Sequence, residues 1–134
     1  MLKTFLKLIP ARTVFAHCDV PCGIYDPKAA QTAAATVLKM VQKLNEYPTD
    51  DLNNRVRAIH TKEEHAQKCK DEILILWTDY FKKEHLEKFP DLHETFWKAA
   101  KLCSSNKQHV DEDLANQLVE AVDHIAQMFV ESKK

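Results

Sequence analysis

The chain has 134 residues, 45% of them hydrophobic and 29% charged, which is the composition of one ordinary globular domain. Its 19 basic and 20 acidic residues leave a formal net charge of -1, so nothing supports a nucleic-acid binder working by phosphate attraction. The single glycine excludes a Walker loop and a dinucleotide fingerprint, which need two or three within a few residues, and disfavours a sheet-rich fold, whose tight hairpins use glycine.

Residues 1–16 differ from the rest. Lys3, Lys7 and Arg12 occur without an acid, among Leu2, Phe5, Leu6, Leu8 and Ile9. Lys7 and Arg12 interrupt the apolar run of about 7–15 residues that a secretory signal carries, although Val14-Phe15-Ala16 has the small-residue ending of a cleavage site. The segment reads as a removable leader; a transit peptide and an ordered terminal helix are the alternatives. A maturation leader implies cytoplasm, a transit peptide an organelle. No segment reaches the roughly 18–20 apolar residues of a membrane helix.

From Pro27 the periodicity is helical. Asp26-Pro27 is expected to cap a first helix with a face of Ala30, Ala33, Ala34, Val37, Met40, Val41 and Leu44, stopped at Tyr47-Pro48. A second helix is expected from Asp50 or Asp51, carrying Leu52, Val56, Ile59, Ala66, Ile73 and Tyr80 or Phe81. Its apolar stretch Ile73–Trp77 suits a helix enclosed by neighbours, with a strand as the rival. Asp91 and Glu94 suggest a capping box opening a third helix with Leu92, Phe96, Ala99 and Leu102 or Cys103 on its face. Ser104–His109 reads as a polar link, and a fourth helix follows from Asp111 to Ser132 with Leu114, Leu118, Val122, Ile125 and Phe129. Four such helices with short connections predict an all-α, up-and-down four-helix bundle. Cys69 and Cys103 fall inside it and read as buried free thiols.

The chemistry lies in residues 17–27, His-Cys-Asp-Val-Pro-Cys-Gly-Ile-Tyr-Asp-Pro, which hold the only glycine and two of the four cysteines. Pro21 keeps the segment from being a plain helix and Gly23 permits a backbone angle closed to other residues. Such a loop can bring the Cys18 and Cys22 thiolates onto one ion. No second cysteine pair completes a structural zinc site. No glutamate stands three residues before His60, His65, His85, His93 or His124, so the di-iron bundle motif is absent.

If cleavage follows Ala16, His17 becomes the N-terminus. Its α-amine, the Cys18 amide nitrogen and the Cys18 and Cys22 thiolates then form a planar N2S2 set, and the His17 imidazole can reach an axial position. Planar nitrogen-rich sets suit nickel(II) or copper(II). Two thiolates tend to reduce Cu(II), while anionic donors let nickel cycle between Ni(II) and Ni(III), a one-electron redox centre. The competing readings are a Cys18–Cys22 disulfide, a non-catalytic metal-binding bundle, and packing roles for Tyr25 and Tyr80.

The segment resembles the nickel-binding hook of the nickel superoxide dismutase family, His-Cys-Asp-x-Pro-Cys-Gly-x-Tyr-Asp-Pro. The resemblance continues through Trp77-Thr78-Asp79-Tyr80-Phe81-Lys82, Pro90-Asp91-Leu92-His93 and the closing helix, over essentially all of residues 17–134. It implies a leader of residues 1–16 removed by a maturation protease, a hook at 17–27 and a bundle at 27–134. It also implies one nickel ion per subunit, assembly as a homohexamer, and disproportionation of superoxide to oxygen and hydrogen peroxide. By the same resemblance His17 supplies amine and imidazole, Cys18 amide nitrogen and thiolate, and Cys22 the second thiolate. Tyr25 and Tyr80 resemble the tyrosines bounding the substrate approach, and Asp19 the acid that holds the loop. Ala33 and His65 stand where some members carry a glutamate and an arginine that orient the axial imidazole; His65 or a backbone group is expected to take over. Lys82 and Lys83 read either as a steering field for an anion or as a solvated helix end.

Overall fold

A computed structural model describes residues 23–134, and the leader, His17, Cys18, Asp19 and Cys22 lie outside the described residues. Asp26 Oδ1 accepts the Lys28 N–H at 2.8 Å, and Pro27 takes up helical angles at φ -72°. Helix α1 therefore starts one residue later than the proline implies, at Lys28, and runs to Glu46. Ala30, Ala33, Ala34, Val37, Val41 and Leu44 of the expected apolar stripe are buried, while Met40 is only half-buried. Tyr47 turns extended before Pro48. There Arg55 Nη1 donates to the Leu44 and Tyr47 carbonyls at 2.9 and 3.2 Å, satisfying oxygens that the helix end leaves open.

Helix α2 spans Leu52–Ile75, and its cap Asp51 accepts the Asn54 N–H. Its inward stripe differs from the expected one. Ala58, Lys62, Ala66, Cys69 and Ile73 are buried, whereas Leu52, Val56 and Ile59 are 69%, 62% and 39% exposed. A lysine and an alanine occupy inward positions, so apolarity alone selects the wrong face of the first three turns. The apolar stretch after Ile73 is helical rather than a strand, ending in a π-turn at Leu76–Tyr80.

After a 3₁₀ turn at Lys83–Leu86, helix α3 covers Leu92–Gln108. Asp91 precedes it without a side-chain cap, and Glu94 instead pairs with Lys98 at 2.6 Å, so the capping box does not form. The expected polar link is helical through Gln108. Asn106, 1% exposed, donates Nδ2–H to the Leu102 and Leu114 carbonyls, and Ser104 Oγ accepts from Lys70. The contacts to Leu114 and Lys70 are tertiary and keep the segment in the helix, although the buried Asn106 Oδ1 has no hydrogen-bond partner. Helix α4 spans Glu112–Ser132, with Asp111 capping through the Leu114 N–H.

Each helix packs antiparallel on its neighbour in chain order, and α4 closes the ring on α1. Gln31 Nε2 donates to Asp123 and Gln42 Nε2 to Glu112, which fixes the α1–α4 register at two levels. The core is the up-and-down arrangement expected, filled by Val37, Val41, Ile73, Leu92, Phe96, Leu118, Val122 and Ile125. Each such side chain contributes roughly 1.5–3 kcal/mol by burial. No helix among the described residues is long and apolar enough to cross a membrane.

Candidate active site

At one end of the bundle, α2 changes pitch. The Phe81 N–H reaches back to the Leu76 carbonyl at 3.0 Å, a five-residue step that widens the last turn over Leu76–Tyr80. Such turns are rare and recur at functional sites. Here Leu76 and Phe81 stay in the core, anchored by the Phe81 ring edge-on to Phe96 with centroids 5.4 Å apart. Thr78, Asp79 and Tyr80 are carried to the rim of a cleft.

The cleft has a volume of about 570 Å³. Gly23 and Tyr25 form one wall, Tyr80, Lys82 and His85 another, and Phe129 and Lys133 of α4 complete it. Two sequence-predicted residues, Tyr25 and Tyr80, meet here with ring centroids 5.5 Å apart at 57°. Both are part-buried against the core, so packing and lining the cleft are one role rather than rivals.

Tyr80 is held on every side. His85 stacks on its ring at 5.7 Å and 13°, and the Phe129 ring lies 4.6 Å away. Its hydroxyl is 2.7 Å from Ser132 Oγ. The Ser132 hydroxyl donates to the Phe129 carbonyl at 2.7 Å, so the proton between Tyr80 and Ser132 belongs to Tyr80. His85 Nδ1 accepts the Lys82 N–H at 2.9 Å, which leaves the proton of the neutral ring on Nε2. His85, Phe129, Ser132 and Lys133 were not expected in the site. Three of them come from the far end of the sequence, and only the folded register of α4 reveals them.

Gly23, the residue after Cys22, has φ +70° and lies on the cleft wall. The left-handed angle is open to glycine at no steric cost. His17, Cys18, Asp19 and Cys22 are outside the described residues. Among the described residues no group of three or more His, Cys, Asp or Glu side chains could hold a metal ion.

Residues 12–133 match the nickel-containing superoxide dismutase family. The chain is 37% identical over 125 residues to a nickel superoxide dismutase of Streptomyces seoulensis, covering 93% of this chain and 94% of the relative. The corresponding enzyme of Streptomyces coelicolor matches with the same identity and coverage. The solved native structure of a nickel superoxide dismutase superposes with a TM-score of 0.82 at 36% identity, over 88% of this chain and 100% of that one.

The chain belongs to the nickel-containing superoxide dismutase family.

Two expectations drawn from departures within that family can be placed. Ala33 is buried in α1. His65 Nδ1 donates to the Thr61 carbonyl at 2.9 Å, and its ring lines a separate hollow with Glu64, Gln67, Lys68, Asp71 and Glu72. Tyr25 and Tyr80 are not part of that hollow. Of the two lysines read as a steering field, Lys82 lines the cleft and Lys83 does not. For a nickel superoxide dismutase the cleft is well furnished. Its rim carries the basic side chains of Lys82 and Lys133 and the acidic ones of Asp79 and Glu84.

Proposed function

We propose that the chain disproportionates superoxide to oxygen and hydrogen peroxide at one nickel ion held by the hook. His17 provides amine and imidazole, Cys18 amide nitrogen and thiolate, Cys22 the second thiolate, and Asp19 braces the loop. The donor set would suit the ion: an amine, an anionic amide nitrogen and two thiolates are strong donors that would stabilise Ni(III) as well as Ni(II). The observation that carries the reading is the meeting of Tyr25 and Tyr80 across a cleft whose wall includes Gly23, covalently the next residue after Cys22.

Nickel, when bound, supplies the one-electron steps between Ni(II) and Ni(III). The rest falls to side chains. Lys82 and Lys133 draw the anion in, and the Tyr25 and Tyr80 rings narrow the approach to small molecules. Tyr80 gives its proton to Ser132 and so faces the cleft as an acceptor. Peroxide formation consumes protons, and His85 Nε2–H stands at the cleft wall as a donor.

The reading requires removal of residues 1–16 by a maturation protease, because only proteolysis frees the His17 amine. The working form is proposed to be a cytoplasmic homohexamer. Nickel content and superoxide consumption of chains 1–134 and 17–134 test the ligand set together. Nickel binding and turnover are expected only in the shorter chain, and full activity with the leader attached overturns the assignment.

A further inference from the structure

Two cysteines outside the hook face each other in the core. Four polar links set the antiparallel register of α2 and α3. Lys62 donates to the Asn106 carbonyl and Lys107 to Gln67. Lys70 donates to Ser104 and Trp77 to His93. Cys69 adjoins Lys70 on α2 and Cys103 adjoins Ser104 on α3, so the Lys70–Ser104 link brings the two cysteines to the same level of the α2–α3 seam. Both are 0% exposed, both are free thiols, and both belong to the same buried core cluster. Alanines at 66, 99 and 100 share this part of the core, and small side chains let two helices approach closely.

We propose that Cys69 and Cys103 form an oxidisable dithiol that closes to an inter-helix disulfide, with hydrogen peroxide, the product of the family's reaction, as oxidant. One thiolate attacks peroxide, breaking the O–O bond to give a sulfenic acid and hydroxide. The second thiolate attacks that sulfur, the S–S bond forms and hydroxide leaves. The two thiols lose two hydrogens and two electrons, and peroxide is reduced to two waters. The neighbouring thiol intercepts the sulfenic acid before a second peroxide can carry it to sulfinic acid.

The neighbouring Cys103 side chain and burial push the Cys69 thiol well above its ordinary range, with Glu72 adding to the shift. The thiolate is the reactive species, so closure is slow and requires sustained peroxide. The cross-link would tie α2 to α3 two turns before the π-turn that carries Tyr80.

The experiment exposes reduced, nickel-loaded enzyme to added peroxide, alkylates it under denaturing conditions and maps unreduced peptides. The expected result is a Cys69–Cys103 linked peptide two hydrogens lighter, reversed by dithiothreitol, with Tm raised by several degrees before reversal. Cys103→Ser should abolish the link and the rise in Tm while leaving superoxide consumption intact before peroxide treatment. Recovery of both thiols fully alkylated, or of Cys69 as sulfinic acid in the wild-type chain, overturns the proposal. Should Cys103→Ser fail to fold, the wild-type peptide map alone decides. The dismutase reading stands or falls separately, on superoxide consumption by the same untreated sample.

Discussion

The Tyr80 hydroxyl donates to Ser132 Oγ across 2.7 Å, joining the end of the π-turn to the last residue of α4. Because Ser132 passes its own proton to the Phe129 carbonyl, the chain of donors runs away from the cleft. A residue serving as general acid typically contributes about 10²–10⁴-fold. With its proton committed elsewhere, Tyr80→Phe is expected to slow superoxide consumption by less than about 10²-fold. Ser132→Ala should cost about 0.5–1.5 kcal/mol in urea unfolding, and Ser132→Thr should restore it. Stopped-flow decay of superoxide checks the first point; a loss in Tyr80→Phe as large as that from removing a metal ligand would make Tyr80 the proton source.

Gly23 makes a different kind of demand. A Cβ built there meets nothing within 4 Å, so the cost of substitution is backbone alone. A non-glycine residue held at this left-handed angle pays about 1–2 kcal/mol, equivalent to roughly tenfold in an equilibrium constant. Gly23→Ala should therefore weaken nickel binding about tenfold by competition with a chelator. Gly23→Asn, whose side chain tolerates the angle, should weaken it less. Equal affinity in all three chains would show that the turn is not needed for the hook to close.

Much of the bundle was legible because its signals are local. Asp51 and Asp111 cap the helices they precede, and the 3.6-residue stripes of α1 and α4 are buried apart from Met40 and Leu114. Three features were not. The inward face of early α2 is built from Ala58 and Lys62, whose signal is weaker than that of the larger apolar Leu52, Val56 and Ile59 on the other face. The polar run from Ser104 stays helical through tertiary hydrogen bonds. The π-turn depends on Leu76 and Phe81 both being held in the core. In the cleft, Tyr25 and Tyr80 came from family resemblance, whereas Ser132 and Lys133 enter only when α4 is laid against the π-turn.

Nickel removal should separate activity from folding. Among the described residues the buried core is drawn from residues 30–129, and no cluster is arranged to hold a metal. Stripping nickel with a strong chelator is expected to abolish superoxide consumption and leave the helical circular dichroism unchanged; nickel together with reductant should restore activity. Loss of helical signal on chelation would mean that the hook contributes to the fold.

Lys62 makes stability depend on pH. It is 1% exposed, and Nζ donates to the Asn106 carbonyl and, at 3.0 Å, to that of Lys107. These oxygens lie at the open C-terminal end of α3. Burial pushes the Lys62 pKa below its ordinary 10.5, opposed by the nearby Glu63 carboxylate. Between the lowered value and 10.5 the unfolded chain therefore binds more protons than the folded one, and stability rises with pH across that window. Lys62→Met removes this slope and leaves two carbonyls without their donor, a loss of about 1–3 kcal/mol. Because other lysines and tyrosines also titrate, the useful quantity is the difference in urea unfolding energy between wild type and Lys62→Met. It should widen as pH rises towards 10.5; a constant difference would show that the folded state holds the Lys62 proton as tightly as the unfolded chain does.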